Sequence, residues 1–282
     1  MSPITALLSV TLETPNLDKS LDFYTTAFGL NLLNANDRGA DLAGAGSHTP
    51  ALSLRDGSAR RLTSLTFELE ASRSLSDHAA DLRARGLDTT EEDGALTAID
   101  ADQHRLSFVL AKDRPLQPAT GHPLYLSHAV INTPDPQRSI DFYVQRLGFT
   151  VSDAYEQGLL TFLRCAQRQH HCIAIAKAAH KGVHHVSWEC GSIDAVMQSV
   201  TRMRGFGMEP LWGPGRHGPG GNIFCYFADP DGLVVEFTTD LIQINDDDAW
   251  IVREWARTPL NADIWGGSGP SPRAIALFSG AP

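Results

Sequence analysis

The sequence predicts an α+β protein of four βαβββ modules, two in each of two tandem halves. Three observations predict it. A gapless internal repeat pairs "LETPNLDKSLDFYTTAFGL", starting at Leu12, with "INTPDPQRSIDFYVQRLGF", starting at Ile131. A second repeat pairs "LTSLTFELEASRSLSDHAADLRARGL" from Leu62 with "VHHVSWECGSIDAVMQSVTRMRGFGM" from Val183. Short strand-like runs accompany them, "ALSLR" and "GALTAID" in the first half, "LLTFLRC" and "HCIAIAK" in the second. Self-similarity of this kind marks repeated supersecondary units.

The elements follow in order. Each first unit opens on an alternating strand, then turns at Pro15-Asn16 or Pro134-Asp135. A helix comes next, with Leu21, Tyr24 and Phe28, or Ile140, Tyr143 and Leu147, along one face. Gly29 or Gly148 stops it. Each second unit is again strand, helix and glycine: Gly86 in the first half, Gly205 or Gly207 in the second. The expected boundaries are 1–113 for an N-terminal pair of modules and 123–240 for a C-terminal pair. Residues 114–122 between them read as a linker, because "AKDRPLQPATGHP" (111–123) is rich in Pro and Gly. Residues 241–282 have no counterpart in the first half and carry Trp250, Trp255 and Trp265. They read as an extension packed on the second domain.

Composition narrows the partners. A formal net charge of −10 disfavours nucleic acid and anionic membranes. No apolar run approaches the ~18 residues of a membrane helix. The start, "MSPITALLSVTLE", lacks the basic stretch of a signal peptide. Cys165, Cys172, Cys190 and Cys225 form no CxxC pair, and they read as reduced core thiols of a cytoplasmic protein rather than disulfide or zinc residues.

A duplicated fold contains its own control. Residues needed for folding recur in both copies, while residues needed for chemistry can occur in one. In the alignment His128 falls on Ser9, His185 on Ser64 and Glu236 on Ser107. A lone histidine on a strand is usually a hydrogen-bonded core residue. Three coordinated replacements by Ser are harder to explain that way. Strand alternation puts Leu126, His128 and Val130 on one face, His185 with Ser187 while His184 points the other way, and Val234, Glu236 and Thr238 together. Two imidazoles and one carboxylate aimed into one concave sheet make the facial triad of non-haem Fe(II) oxygenases. An ionised Glu236 in "LVVEF" needs such a partner, since no Arg or Lys lies near it on its strand.

The repeat, "HHVSWE" and "RHGPGGNIFCYFADPDGLVVEF" together resemble the type I extradiol ring-cleavage dioxygenases of the vicinal oxygen chelate group, which also holds glyoxalase I and bleomycin-resistance proteins. The resemblance covers residues 1 to about 240. Its specific part is His217, Tyr226, Asp229-Pro230-Asp231-Gly232 and Glu236. Cys225 departs from the bulkier residue usual before the Tyr. The resemblance implies the vicinal oxygen chelate fold, a homo-oligomer and a catecholic small-molecule substrate opened by O2 to a hydroxymuconic semialdehyde-type product in aromatic compound degradation. His128, His185 and Glu236 would hold Fe(II), with Mn(II) the alternative. His171 would be the acid–base group, with His170 as a structural or solvent-facing alternative. His217 and Tyr226 would hydrogen-bond the substrate. The first half would be a metal-free scaffold. His180, in "AAHKG", reads as exposed. Arg253, Arg257 and Arg273 read as surface charge rather than partners of a substrate carboxylate. The Trp residues could cap a pocket or anchor the tail. A glyoxalase-type isomerase or lyase, a drug-sequestering binder and a 2-oxoacid-dependent dioxygenase are the competing readings on this fold.

Overall fold

Strand β1 (Ile4–Thr14) begins a computed structural model that describes residues 2–112, 121–245 and 249–280. Of the expected linker, 114–122, residues 114–120 lie outside the described residues. Helix α1 (Leu17–Asp22) runs into a π-helical turn, Phe23–Phe28, and ends at Gly29, whose φ of 93° suits a residue without Cβ. Strands β2 (Asn31–Asn36), β3 (Gly39–Ala43) and β4 (Leu52–Asp56) complete the first module. The second is β5 (Arg61–Leu69), α2 (Leu75–Ala84), β6 (Thr90–Glu92), β7 (Ala95–Ile99) and β8 (Arg105–Leu110).

The second half repeats the pattern. Its third module is β9 (Tyr125–Thr133), α3 (Pro136–Asp141) with a π turn over Phe142–Arg146, β10 (Thr150–Tyr155), β11 (Leu160–Arg164) and β12 (Ile173–Lys177). Its fourth is β13 (Gly182–Glu189), α4 (Ile193–Gly205), β14 (Trp212–Arg216), β15 (Ile223–Ala228) and β16 (Val234–Thr239). Gly205 is still helical, and Gly207, at φ 76°, makes the turn after α4. In every module the first strand pairs in parallel with the last, and two modules join through an antiparallel pair of first strands. The sheet orders are therefore β2-β3-β4-β1-β5-β8-β7-β6 and β14-β15-β16-β13-β9-β12-β11-β10. This is the expected α+β fold of four βαβββ modules.

The tail adds to the second sheet. Strand β17 (Arg253–Trp255) pairs in parallel with β10 at its edge. Helices α5 (Pro259–Ala262) and α6 (Pro272–Phe278) follow. No described helix is long and apolar enough to cross a membrane. All four cysteines are free and buried.

The two halves share one apolar core. Phe28 stacks on Phe237 at 4.4 Å and meets the edge of Trp188 at 5.9 Å. Phe149 meets Phe67 edge-on at 5.8 Å. The halves also clasp each other through two matching Asp-x-Asp loops. Asp229 accepts a hydrogen bond from Tyr24 Oη at 3.0 Å, and Asp231 accepts from Asn16, Ser20 and Thr14. Reciprocally, Asp100 accepts from Tyr143 Oη at 3.2 Å, and Asp102 accepts from Thr133, Arg138 and Ser139. The recurrence of Thr, Ser and Tyr in the repeat is thus structural: each half's first helix is tied to the other half's last hairpin.

Burial is the main influence on the Asp229 carboxyl, and it raises the pKa from 3.8 to about 6 despite hydrogen bonds from the Leu233 amide and Tyr24. The folded state then holds this proton more tightly than the unfolded chain. The stabilisation is complete below the unfolded pKa and is lost as pH rises through about 6. Asp229→Asn removes the titration and keeps an acceptor for the Asp231 and Leu233 amides. Urea unfolding should show wild type losing about 2–3 kcal/mol relative to D229N between about pH 4 and 7. Parallel pH profiles for the two proteins would refute this assignment.

Candidate active site

Three strands in the middle of the second sheet carry the site. β13 lies between β9 and β16, and their register sets Ser187 opposite both His128 and Glu236, and His185 opposite Val130. Two β-bulges aim the histidines. One lies between Leu126 and His128, so alternation breaks at Ser127. Leu126 consequently packs in the main core, while His128 and Val130 face the cavity. This corrects the expectation that Leu126 shares their face. The second bulge lies at His184, between Val183 and His185. His184 therefore turns toward the cavity beside His185 instead of away, stacked on Phe278 at 4.3 Å. Both bulges recur in the first half, between Leu7 and Ser9 and at Thr63. The backbone distortion belongs to the fold, and only the side chains placed on it differ.

The three ligand atoms of His128, His185 and Glu236 lie within 4.8 Å of one another. Glu236 Oε2 is 3.1 Å from His128 Nε2 and 3.3 Å from His185 Nε2. Glu236 has no exposed surface. Burial alone would raise its carboxyl, but the two imidazoles outweigh that and hold it well below the usual range. Asn222 donates to Glu236 Oε1 at 3.2 Å and to Thr238 at 2.8 Å, which fixes the carboxylate with Oε2 turned to the histidines. Glu236 Oε2 and His185 Nε2 are buried without a well-formed hydrogen bond. Two imidazole nitrogens and a carboxylate oxygen converging on one point, with the carboxylate oxygen and one nitrogen left unsatisfied by protein, suit a divalent cation. No other cluster of this kind occurs among the described residues, and Ser9, Ser64 and Ser107 bring no ligand to the first sheet.

The cavity beside this triad has a volume of about 560 Å³. His171, His217 and Tyr226 all line it. His217 donates from Nδ1 to the Ala262 carbonyl at 2.7 Å, which leaves Nε2 to accept from Tyr226 Oη at 2.9 Å. Burial pushes His217 down to about 4 and Tyr226 well above its ordinary value, so both are neutral near pH 7. His217 also stacks on Phe224 at 3.9 Å. Cys225 points the other way into the core, which is why the departure from a bulkier residue does not reach the site.

His171 is 4.4 Å from His128, ring to ring. It does not share a face with Ile173 and Ile175, as alternation suggests, because β12 begins only at Ile173 and those two isoleucines lie in the core. Burial, then the surrounding imidazoles, push His171 well below the ordinary histidine pKa, so its neutral form faces the cavity. His170 is neither exposed nor idle: it is fully buried, with Nε2 3.2 Å from Asp153 Oδ2.

Sequence reasoning missed the residues that hold these groups. Asn222 and Asp153 carried no signal in the repeat. The tail is part of the site, not a cover for it. Trp250 and Trp255 donate to Ser152 O and Asp153 Oδ2, and thereby anchor it. Asp263 accepts from the amides of Arg216, Trp265 and Gly267, and the Ala262 carbonyl orients His217. Trp265 is half exposed, with Arg216 over its ring. Arg257 is exposed, as its surface reading expects, and also lines the cavity, whereas Arg253 and Arg273 do not line it. His180 is exposed at the mouth.

The chain is similar to several known proteins. Residues 125–237 match the glyoxalase/bleomycin resistance protein/dioxygenase superfamily. The chain is 34% identical over 134 residues to metapyrocatechase 2 of Cupriavidus necator, an alignment covering 48% of this chain and 42% of that protein. Biphenyl-2,3-diol 1,2-dioxygenase of Metapseudomonas furukawaii is 25% identical over 258 residues, 82% of this chain and 84% of that one. Among solved structures, the Mn(II)-bound glyoxalase from Novosphingobium aromaticivorans superposes with a TM-score of 0.86 at 25% identity, covering 97% and 94% of the two chains. Homoprotocatechuate 2,3-dioxygenase from B. fuscum superposes with a TM-score of 0.81 at 21% identity, covering 94% and 79%, a likeness of fold.

Titration of the metal-free chain with Mn(II) should give one tight site. Glu236→Ala should abolish it. Asn222→Ala should weaken it about 10–100-fold, the scale for losing a group that orients a ligand. Undiminished binding by E236A would remove Glu236 from the metal site.

Proposed function

We propose, from the superfamily to which residues 125–237 belong and from the geometry around Glu236, that this chain is an Fe(II)-dependent extradiol dioxygenase that opens a catecholic ring with both atoms of O2. The observation that carries the reading is the conjunction in one cavity of an unsatisfied His128–His185–Glu236 cluster, a neutral His171 and a His217–Tyr226 pair. Support also comes from relatives named as metapyrocatechase, biphenyl-2,3-diol 1,2-dioxygenase and iron-dependent extradiol dioxygenase.

His128, His185 and Glu236 would hold the ion. When bound, Fe(II) supplies a redox-active Lewis acid that lowers the pKa of phenolic hydroxyls. The protein does the rest. Val130, Phe162 and Ala176 wall the cavity with apolar surface and admit a flat ring. His171 receives a catechol proton at its available ring nitrogen and returns it later, the work of a positioned general base and acid. Tyr226 keeps its phenolic proton, donated to His217 Nε2, and its oxygen can accept from a substrate hydroxyl. The first half contributes no ligand and acts as a scaffold. The alternative of a glyoxalase-type isomerase rests on the likeness to the Mn(II)-bound glyoxalase. It gives no work to the His217–Tyr226 pair.

Anaerobic Fe(II) loading, followed by catechol or 3-substituted catechols in air, should produce yellow ring-fission product. Turnover of the methylglyoxal–glutathione adduct with no colour from any catechol would sink the reading. His171→Asn should lower kcat about 10²–10⁴-fold with little change in KM, measured by product absorbance, because binding survives and proton transfer does not.

A further inference from the structure

His170 stands behind His171 and does not line the cavity. Its Nδ1 is 3.0 Å from His171 Nδ1, and its Nε2 is 3.2 Å from Asp153 Oδ2. Asp153 is itself buried and receives hydrogen bonds from the Arg253 amide at 2.9 Å and the Trp255 indole at 2.9 Å. We infer that His170 is a positioning residue that sets the tautomer of His171, and that the tail anchors this chain of contacts through Asp153.

With both imidazoles neutral, the donors and acceptors pair in only one way. Asp153, taking two N–H donors, is ionised and can only accept. The proton of that contact therefore sits on His170 Nε2, which faces Asp153 Oδ2 at 3.2 Å as an ion-pair contact rather than a well-formed hydrogen bond. A neutral imidazole carries one N–H, so His170 Nδ1 is bare and accepts. The proton between the two histidines must then belong to His171 Nδ1. That leaves His171 Nε2 with a lone pair, the form able to take a catechol proton. An orienting carboxylate that fixes a base through one ring nitrogen is a recurrent device in catalysis. Here the carboxylate acts through an intervening imidazole. Burial leaves no water to substitute, since His170 has no exposed surface and rests against Phe162 and Trp250.

The role assigned to His170 rests on the reading of His171 as the acid–base group, and two measurements separate them. In the full chain loaded with diamagnetic Zn(II) and labelled with ¹⁵N-histidine, long-range ¹H–¹⁵N correlations report each tautomer. The His171 signals are identified by their loss in His171→Gln. The expected result is a protonated Nδ1 and a bare Nε2 at His171. A protonated Nε2 there would overturn the inference, whatever the enzyme turns over. In the Fe(II) enzyme, His170→Leu should lower kcat about 10–100-fold at nearly constant KM. His170→Gln can accept from His171 and donate to Asp153, so it should stay within about fivefold of wild type. Equal losses in H170L and H170Q would mean that His170 only fills space. Failure of every catechol would instead count against the dioxygenase reading, and the tautomer measurement would still decide the role of His170.

Discussion

An ionised carboxylate at the centre of a β-sheet is the constraint around which the second half is built. Glu236 has no exposed surface, and removing such a charge from water costs several kcal/mol unless it is paired. Asn222 takes one of its oxygens, and His128 and His185 converge on the other. Those contacts exist only because β9, β13 and β16 lie side by side in fixed register. A one-residue slip of β16 would send Glu236 into the apolar core and Val235 to the ligand cluster. Sheet order, register and the two bulges are therefore conditions for the site as much as features of the fold.

Register of that quality requires a rigid frame, and the duplicated half supplies it. The two sheets share one core through Phe28, Trp188 and Phe237 on one side and Phe67 and Phe149 on the other. The reciprocal Asp-x-Asp clasps tie each half's first helix to its neighbour. Asp229 and Asp231, which look like part of a catalytic signature when read in line with Glu236, serve this clasp. Their counterparts Asp100 and Asp102 do the same work where there is no metal cluster. The first half thus keeps the same order, the same bulges and the same clasp, with Ser9, Ser64 and Ser107 where the second half has His128, His185 and Glu236.

The residues from 249 onward do for the cavity what the first half does for the sheet. β17 brings Trp255 and the Arg253 amide to Asp153, behind His170 and His171. The Ala262 carbonyl fixes the tautomer of His217, and so the direction of its bond to Tyr226. Phe278 stacks against His184 and meets the edge of Tyr226. The tail thus orients His217 directly and secures Asp153, the carboxylate that faces His170.

The repeat alone was enough to show four modules, and the Ser-for-His and Ser-for-Glu exchanges were enough to single out His128, His185 and Glu236. Both are comparisons of the chain with itself, so they need no coordinates. The aim of individual side chains was not legible in this way. Leu126, His184 and His171 all depart from simple alternation, because a bulge or a strand end shifts the period by one residue and leaves no mark in residue type. Asn222, Asp153 and Asp263 were hidden for a related reason: each acts by a hydrogen bond to a group distant in sequence. The sequence by itself determined which side chains are available for chemistry. Tertiary structure decided which way they point and which proton each carries, because direction and tautomer are fixed by neighbours that only folding brings within 3 Å or so.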